Sequence, residues 1–195
     1  MIIEYGDIEP LERYKLMSNC VVPRPIAWIV TEANGTVNVA PFSYFTPLSS
    51  NPPTLIVSIG HKPDGTPKDT LKNIRKTKRC TISMVAPNQL EQMHFSSKVL
   101  EYGKSEAKEF GIELVSIDDA YPPVIKGSPT AFLCDFSGEV TLKGSKTIPL
   151  LLSVNRQFVA DENVSKDGKV VCNTLGRVGA RYITSFEFVD APKIP

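Results

Sequence analysis

The chain has 195 residues, of which 42% are apolar and 22% are charged, and its formal net charge at neutral pH is +1. This apolar content is enough for a buried core, so the composition excludes wholesale disorder. The balanced charge argues against a protein that binds nucleic acids or membrane surfaces in general. The length suits one domain, and we expect residues 1–195 to form a single domain.

The cysteines argue against a metal centre or a dithiol redox motif. No two of them lie within ten residues of each other, which excludes a CxxC pair or a zinc knuckle. We therefore expect no metal, and we expect free, buried thiols in a cytoplasmic protein. No apolar run approaches the ~18 residues of a membrane-spanning helix, and we expect neither a membrane span nor a signal peptide. The cysteines are Cys20, Cys80, Cys134 and Cys172.

The first third of the chain predicts a short helix, a β-hairpin and a buried strand. Leu11–Met17, after Pro10, is expected to be helical. Asn34-Gly35 is a strong signal for a hairpin turn, so Ile26–Thr31 and Val37–Ala40 are expected to pair antiparallel. The apolar run Thr54–Gly60 is expected to form a strand buried on both faces.

The remaining elements predict a β-barrel with helical excursions. Asp69 or Thr70 is expected to cap a helix that ends near Thr77. Many short strands with two or three inserted helices favour a mainly β protein over a βαβ sheet. Further helical segments are expected from Asn88 to about Gly103 and at Glu106–Phe110, and further strands at Cys80–Val85, Glu113–Ile117, Thr130–Val140, Ile148–Val159 and Tyr182–Val189.

The segment Lys68–Asn73 predicts an anion site. The stretch from Lys62 to Arg79 carries seven cations and two acids in a chain that is otherwise balanced. A helix start offers free N–H groups and partial positive charge, to which Lys68 adds a full charge and Thr70 a hydroxyl. Asp69 and Asn73 belong to the same predicted site. The alternative is a solvated basic helix with an ordinary Asp69 cap.

The segment Asn38–Phe45 predicts a place for an aromatic ligand. It offers aromatic faces and backbone amides next to a rigid Ala40-Pro41 pair. Together with Lys68–Asn73 it would satisfy both ends of a planar aromatic ligand that carries a phosphate. For Phe42 we favour a place in the core.

Several segments, in their order along the chain, resemble the flavin reductase-like, FMN-binding split-barrel family that includes flavoredoxin. The resemblance implies an FMN-binding split β-barrel and a homodimer with non-covalent FMN near the subunit interface. It also implies that NAD(P)H or another redox protein reduces the flavin. Gly179-Ala180 departs from the Gly-Gly pair that relatives often show, which bears on how closely the backbone approaches the flavin. The matching segments are Pro23–Thr31, Asn38–Phe45, Lys68–Thr70, Phe110–Ile112 and Leu175–Tyr182.

The flavin ring would take backbone donors from one segment. Ser43, Tyr44 and Phe45 can give N–H groups to the pyrimidine edge or to flavin N5, and such donors stabilise a reduced anionic flavin. Ser58 lies in an apolar strand, where a buried hydroxyl needs a partner that a flavin could supply.

For the other candidate residues, we consider both a contact with the ligand and a purely structural role. Arg24 would reach the phosphate or ribityl chain, or lie on the surface. Asn38 would bind the ribityl hydroxyls or only close the hairpin. We expect Trp28 to be a core residue. His61 and His94 could contact the ligand, although an ordinary structural role is favoured for both.

The leading hypothesis for function is an NAD(P)H-dependent flavin reductase in which hydride passes to flavin N5 and no protein side chain is catalytic. The chain has no GxGxxG motif, so any nicotinamide cofactor would dock transiently. The alternative is a flavoredoxin-like FMN protein that exchanges electrons with a protein partner. A third reading is a barrel that holds a different ligand, such as haem.

Overall fold

A meandering antiparallel sheet with short inserted helices makes up most of the chain. The computed structural model describes residues 1–187, 189–192 and 194. The described α-helices are α1 Pro10–Cys20, α2 Asp69–Thr77, α3 Leu90–Phe95 and α4 Glu106–Glu109. The described strands, β1 to β12, are Arg24–Pro25, Ala27–Ala33, Thr36–Phe42, Phe45–Ser50, Pro53–Gly60, Arg79–Met84, Leu114–Val115, Val124–Ile125, Thr130–Glu139, Thr147–Val159, Gly176–Val178 and Arg181–Ile183.

The predicted hairpin is confirmed as β2 and β3. These strands pair antiparallel with Val30 opposite Val39. Asn34 and Gly35 at the turn both have positive φ, 53° and 74°, as a tight hairpin turn between twisted strands requires. The Asn-Gly pair thus fixes which side of β3 faces the interior.

Seven strands form one sheet whose edge strands are not hydrogen-bonded to each other in the described residues. Their order is β3-β2-β6-β9-β10-β5-β4, and all the pairs are antiparallel. The edge strands β3 and β4 are joined by Ser43 and Tyr44 alone, and the Tyr44 carbonyl accepts a hydrogen bond of 2.8 Å from the Ser58 N–H. The sheet therefore curls into a barrel with a gap between its edges. This architecture confirms the predicted mainly β fold with inserted helices.

Strand β2 carries apolar side chains on both faces. Ala27 and Ile29 face the barrel interior with side chains of β5, β6 and β10. Trp28 and Val30 alternate to the outer face, where Met93 and other residues cover them. Trp28 is fully buried and its Nε1 donates to the Ser96 hydroxyl at 2.9 Å, which confirms the core position expected for it.

A small second sheet fastens the C-terminal part of the chain to its beginning. Strand β11 pairs with β1, placing Arg177 opposite Arg24, and also with β12. Gly176 packs so closely that an added Cβ would lie 2.8 Å from the Pro23 Cβ.

The long helix expected from Asn88 to Gly103 is wrong in extent. A 3-10 turn at Pro87–Gln89 leads into α3, which ends at Phe95. The hydroxyls of Ser96 and Ser97 donate to the carbonyls of Met93 and His94 at 2.8 and 2.6 Å. Such local bonds compete with helix continuation, so residues 96–100 form a loop.

Two further expectations need correction. Strand β5 is fully buried on one face only, through Leu55, Val57 and Ile59, because its other face lines an outer cavity instead of a second layer. The N-cap position of α2 is Lys68, with no side-chain cap bond. Asp69 and Thr70 lie inside the helix.

The remaining sequence expectations meet mixed outcomes. Strands Cys80–Val85, Thr130–Val140 and Ile148–Val159 are confirmed to within about a residue. The strand expected at Glu113–Ile117 shrinks to Leu114–Val115, which pairs with the two residues of β8 alone. Of the strand expected at Tyr182–Val189, the described residues form a strand only at Tyr182 and Ile183, which belong to β12. This strand pairs with the three residues of β11. Phe188 lies outside the described residues.

The structure also bears on the expected free, buried thiols and on the expected lack of a membrane span. All four cysteines are free, but only Cys80 and Cys134 are buried, whereas Cys20 is exposed and Cys172 half-buried. Among the described residues, no helix combines the length and apolar character needed to cross a membrane.

Candidate functional site

A groove opens where β3 passes the N-terminus of α2. The Asn38 Nδ2 donates to the Thr70 Oγ1 at 3.0 Å, and both side chains are buried. This bond ties the strand to the first turn of the helix and leaves the Thr70 hydroxyl hydrogen for another acceptor. The groove is lined by Asn38, Ala40, Lys62, Lys68, Asp69, Thr70, Glu106 and the loop of residues 96–100.

The ionic contacts in this groove leave Lys68 without a carboxylate. Asp69 pairs with Lys62 at 2.7 Å. Among the described residues, Lys68 has no acidic partner within ion-pair distance, and its Nζ lies 5.6 Å from the centre of the Phe42 ring. Burial, and then the nearby Lys62, lower the pKa of Lys68 below its ordinary value. A half-buried, unpaired ammonium beside a helix N-terminus is well placed to bind an anion.

A buried carboxylate stands on the other side of the same groove. Glu106, on α4, is 4% exposed and its Oε2 accepts the Val39 N–H at 3.0 Å. Burial raises the pKa of Glu106 above its ordinary value. The hydrogen bond between Glu106 and Val39 connects α4 to the middle of β3.

A second cavity of about 200 Å³ continues the groove along β3. The residues Pro41, Phe42 and Ser43 form one wall, and Ser97 lines both cavities. The opposite wall comes from distant parts of the chain. It consists of Tyr14, Ile26, Met93, His94, Arg177 and Tyr182.

A hydrogen bond sets the far wall of this cavity. The His94 Nδ1 lies 2.9 Å from the Tyr182 hydroxyl, which Arg177 Nη1 also contacts. Burial raises the pKa of Tyr182, although Arg177 opposes the shift. The two cavities share Ser97 and together form a channel, with Lys68 at one end and Tyr182 and Arg177 at the other.

The structure divides the predicted site residues into groups. Asn38, Ala40, Pro41, Ser43, Lys68, Asp69 and Thr70 line the groove and its continuation. Arg24, Tyr44, Phe45 and Ser58 line a separate cavity of about 460 Å³, which only Ser43 shares with the channel.

Asn73 lines neither the channel nor the cavity of Arg24. It lies one turn after Thr70 on the inner face of α2, and its Nδ2 donates to the Thr31 hydroxyl at 3.1 Å. Its Oδ1 is buried without a partner among the described residues. It lines a small cavity beside Asn38 and Asp69.

Several residues that line the channel were not indicated by the sequence, among them Tyr14, Ser97 and Glu106. These three residues come from different helices or their ends. No spacing along the chain links them to Asn38–Phe45, because only the tertiary fold brings them together. Arg177 and Tyr182, in contrast, lie within the last segment that carried the resemblance. His61 bonds the Lys146 carbonyl through Nδ1 at 3.1 Å, at an exposed site.

The residues of the channel fit a ligand with a phosphate at one end and a flat ring at the other. Lys68 is an unpaired charge, Thr70 retains a hydroxyl hydrogen and the first turn of α2 has free amides. Pro41 supplies apolar surface for a ring. The Phe42 side chain is 8% exposed and packs in the barrel core, which confirms the position expected for it. This donor set matches the requirements of FMN.

Comparison with known proteins gives one family. A family model described as flavin reductase like domain matches residues 17–167. An uncharacterized protein of Aquifex aeolicus is 31% identical over 173 residues, covering 87% of each chain. One of Deinococcus radiodurans is 32% identical over 177 residues, covering 87% of this chain and 78% of the relative.

Solved structures share the fold at low identity. Nitrilotriacetate monooxygenase component B from Bacillus cereus superposes with a TM-score of 0.90 at 22% identity, covering 98% of both chains. A Shewanella frigidimarina protein with a split barrel domain gives 0.85 at 22% identity over the whole of both chains. Flavoredoxin of Desulfovibrio vulgaris gives 0.77 at 14% identity, covering 98% of this chain and 97% of that one. These likenesses confirm the predicted split β-barrel.

Proposed function

The chain belongs to the flavin reductase like domain family, and we propose that it is an FMN-dependent oxidoreductase that uses NAD(P)H. The supporting observation is Lys68, a half-buried ammonium without a carboxylate partner among the described residues, beside Thr70 at the start of α2. A buried charge of this kind is stabilised when an anion binds. The phosphate of FMN is such an anion.

At the phosphate end, the chain supplies three kinds of donor. Lys68 would neutralise charge, the Thr70 hydroxyl would donate one hydrogen bond and the amides of the first helical turn would donate others. Asp69 does not oppose this binding strongly, because Lys62 already neutralises it at 2.7 Å. Asn38 holds the Thr70 side chain in place for this role.

At the ring end, the chain supplies shape and exclusion of water. Pro41 would pack against one side of the ring. Ser43 marks the point where the chain crosses from β3 to β4. His94 and Tyr182 hold each other across the cavity and could bond polar edges. Backbone donors from Ser43, Tyr44 and Phe45 to the ring, and a contact with Ser58, remain predictions.

Bound FMN supplies the redox chemistry, in which hydride passes from a nicotinamide to N5. The residues of the chain would bind the phosphate and orient the ring. No protein side chain is assigned as a proton donor. The expected single domain, homodimer and cytoplasmic location are also proposals.

The test is anaerobic mixing of FMN-loaded protein with NADH or with NADPH. Loss of the yellow flavin absorbance within seconds to minutes is expected. If dithionite bleaches the flavin but neither nicotinamide does, the protein is instead an electron carrier of the flavoredoxin kind. A purified protein that binds no FMN would contradict both, and a haem spectrum would identify the third reading.

A further inference from the structure

The ring end of the channel carries one fixed charge, which belongs to Arg177. Among the described residues that line the cavity of about 200 Å³, this half-buried side chain is the only arginine, lysine, aspartate or glutamate. Its Nε donates to the Gly179 carbonyl at 2.9 Å and its Nη1 to the Tyr182 hydroxyl. Both acceptors are neutral, so no carboxylate of the described chain cancels the charge of Arg177.

The contacts of Arg177 place its charge at the wall of the cavity. The Tyr182 hydroxyl that it holds also lies 2.9 Å from the His94 Nδ1, and all three side chains line the same cavity. Arg177 opposes the rise in pKa that burial gives to Tyr182. A charge that favours a tyrosinate at this wall also favours another anion placed in the cavity.

A second cation stands on the neighbouring strand. Arg24 on β1 lies directly opposite Arg177 on β11, and like charges in that relation destabilise a sheet. Among the described residues, the hydrogen bonds of the two arginines go to backbone carbonyls and to the Tyr182 hydroxyl. An anion in the ring cavity would offset the repulsion between these two cations.

The ring of FMN becomes such an anion when it is reduced. Hydride transfer from NAD(P)H moves two electrons and one proton to the uncharged ring, releases NAD(P)⁺ and leaves one negative charge on the ring. At an effective dielectric constant of about 20, opposite charges about 10 Å apart shift an equilibrium constant by about tenfold or more. Arg177 can therefore act on the reduced ring without touching it.

We propose that Arg177 makes this cavity bind reduced FMN more tightly than oxidised FMN, so that the protein keeps its flavin through reduction as a resident cofactor. The inference rests on the proposed FMN site and adds the redox preference of its ring end. A protein that delivers reduced flavin to a partner must instead release it readily.

The first measurement uses the wild type alone. FMN-loaded protein is reduced anaerobically together with a reference dye of known potential. The midpoint potential of the bound flavin should lie above that of free FMN by about 30 mV or more, which corresponds to a tenfold preference for the reduced form in a two-electron couple. After dithionite reduction, anaerobic gel filtration should recover the flavin with the protein.

Variants of Arg177 separate its charge from its hydrogen bonds. Arg177→Gln should lower the midpoint potential by about 30 mV or more, whereas Arg177→Lys keeps the charge and should keep most of the wild-type potential. Arg181→Gln removes an exposed arginine from β12 and should leave the potential unchanged. In the Gln variant of Arg177, the pKa of the reduced ring, read from the pH dependence of the potential, should be higher than in the wild type.

Three outcomes would overturn the inference and leave the proposed function intact. One is a wild-type midpoint potential at or below that of free FMN, a result that needs no variant. Another is an Arg177→Gln variant that binds FMN with the wild-type potential. The third is an equal fall in Arg177→Gln and Arg177→Lys, which would assign the effect to the bonds with Gly179 and Tyr182. Protein that binds no FMN in these titrations would instead contradict the proposed function, and this inference with it.

Discussion

At the scale of single residues, Glu106 connects the groove to the stability of the fold. The carboxylate accepts the Val39 N–H while it is 4% exposed. Because burial raises its pKa above the ordinary 4.5, the folded protein favours the protonated form. Its contribution to stability is fully present below about that pH and is lost as the pH rises through the raised pKa.

Glu106→Gln should therefore stabilise the protein near neutral pH. Glutamine keeps an oxygen that accepts the Val39 N–H and removes the buried charge. Urea unfolding at about pH 7.5 should show a gain in the free energy of unfolding that shrinks as the pH approaches about 4.5. Glu109→Gln, an exposed change on the same helix, is the control. A loss near pH 7.5 that shrinks as the pH approaches about 4.5 would contradict this and mean that the carboxylate charge itself holds the strand.

Lys68 gives a second pH dependence, which appears in binding. Burial lowers its pKa, so the free protein loses the ammonium proton at a lower pH than an ordinary lysine. A bound phosphate favours the charged form. The affinity for FMN should be highest below this lowered pKa and should fall as the pH rises through it, while the affinity for riboflavin stays flat. Fluorescence titrations between about pH 7 and 10 measure this; parallel curves for the two flavins would count against it.

The site residues show what a sequence can and cannot predict at this scale. The place of Lys68 and Thr70 at a helix start was predictable because a helix start is a local feature, and their role as an anion site stays a prediction. The burial of Arg24 was not predictable, because whether a residue between two prolines is exposed depends on what α1 packs against. Asn73 follows Thr70 by one helical turn, but its side chain is taken by Thr31 on β2. Only the tertiary fold contains that information.

At the scale of elements, the close packing of Gly176 on β11 against Pro23 allows the second sheet to be tested by a substitution. A Cβ at Gly176 would lie 2.8 Å from the Pro23 Cβ and 3.3 Å from the Phe186 Cζ. Gly176→Ala should lower the free energy of unfolding by about 1–3 kcal/mol through overpacking. Gly6→Ala is the matched control, since no atom lies within 4 Å of its added Cβ. Equal denaturation midpoints for the two variants would show that β11 moves away freely.

Element predictions succeeded where the signal was local and failed where it was not. The Asn34-Gly35 turn set the register of β2 and β3 without help from the rest of the chain. The helix over residues 88–103 was predicted too long because Ser96 and Ser97 were read as ordinary helix positions. Their hydroxyls bond backwards to Met93 and His94 and end the helix. A serine can continue a helix or end it by bonding the backbone. Here the Ser96 hydroxyl also accepts a hydrogen bond from Trp28, which favours the helix end.

At the scale of the whole molecule, apolar surface on and after α1 indicates a partner. Leu11, Tyr14, Met17 and Val21 are between 44% and 64% exposed, and Met17 and Val21 also border the cavity of Arg24. A group of large apolar side chains beside a ligand cavity is typical of an interaction surface. We therefore place the proposed homodimer contact at α1.

Sedimentation velocity should show a dimer for the wild type. Leu11→Glu should shift the protein towards monomer, because a charge at the apolar contact is costly to bury. Leu142→Glu changes a similarly exposed leucine in the loop between β9 and β10 and should leave the dimer intact. A wild-type monomer that binds FMN stoichiometrically would refute the dimer while leaving the cofactor proposal intact.

The central claim of the account is that Lys68, Thr70 and the start of α2 hold a phosphate. FMN and riboflavin share the ring and the ribityl chain and differ in that group. Hydrogen bonds to a charged group contribute about 1.5–3 kcal/mol each, so two of them correspond to roughly two to four decades in dissociation constant.

The most direct measurement is a pair of fluorescence titrations, FMN and riboflavin, on wild type, Lys68→Ala and Lys76→Ala. The wild type should bind FMN at least about a hundredfold more tightly than riboflavin. Lys68→Ala should remove a good part of that preference while riboflavin binding barely changes. Lys76→Ala, which deletes a charge near the other end of the same helix, should preserve the preference. Equal affinities of the wild type for FMN and riboflavin would contradict the account.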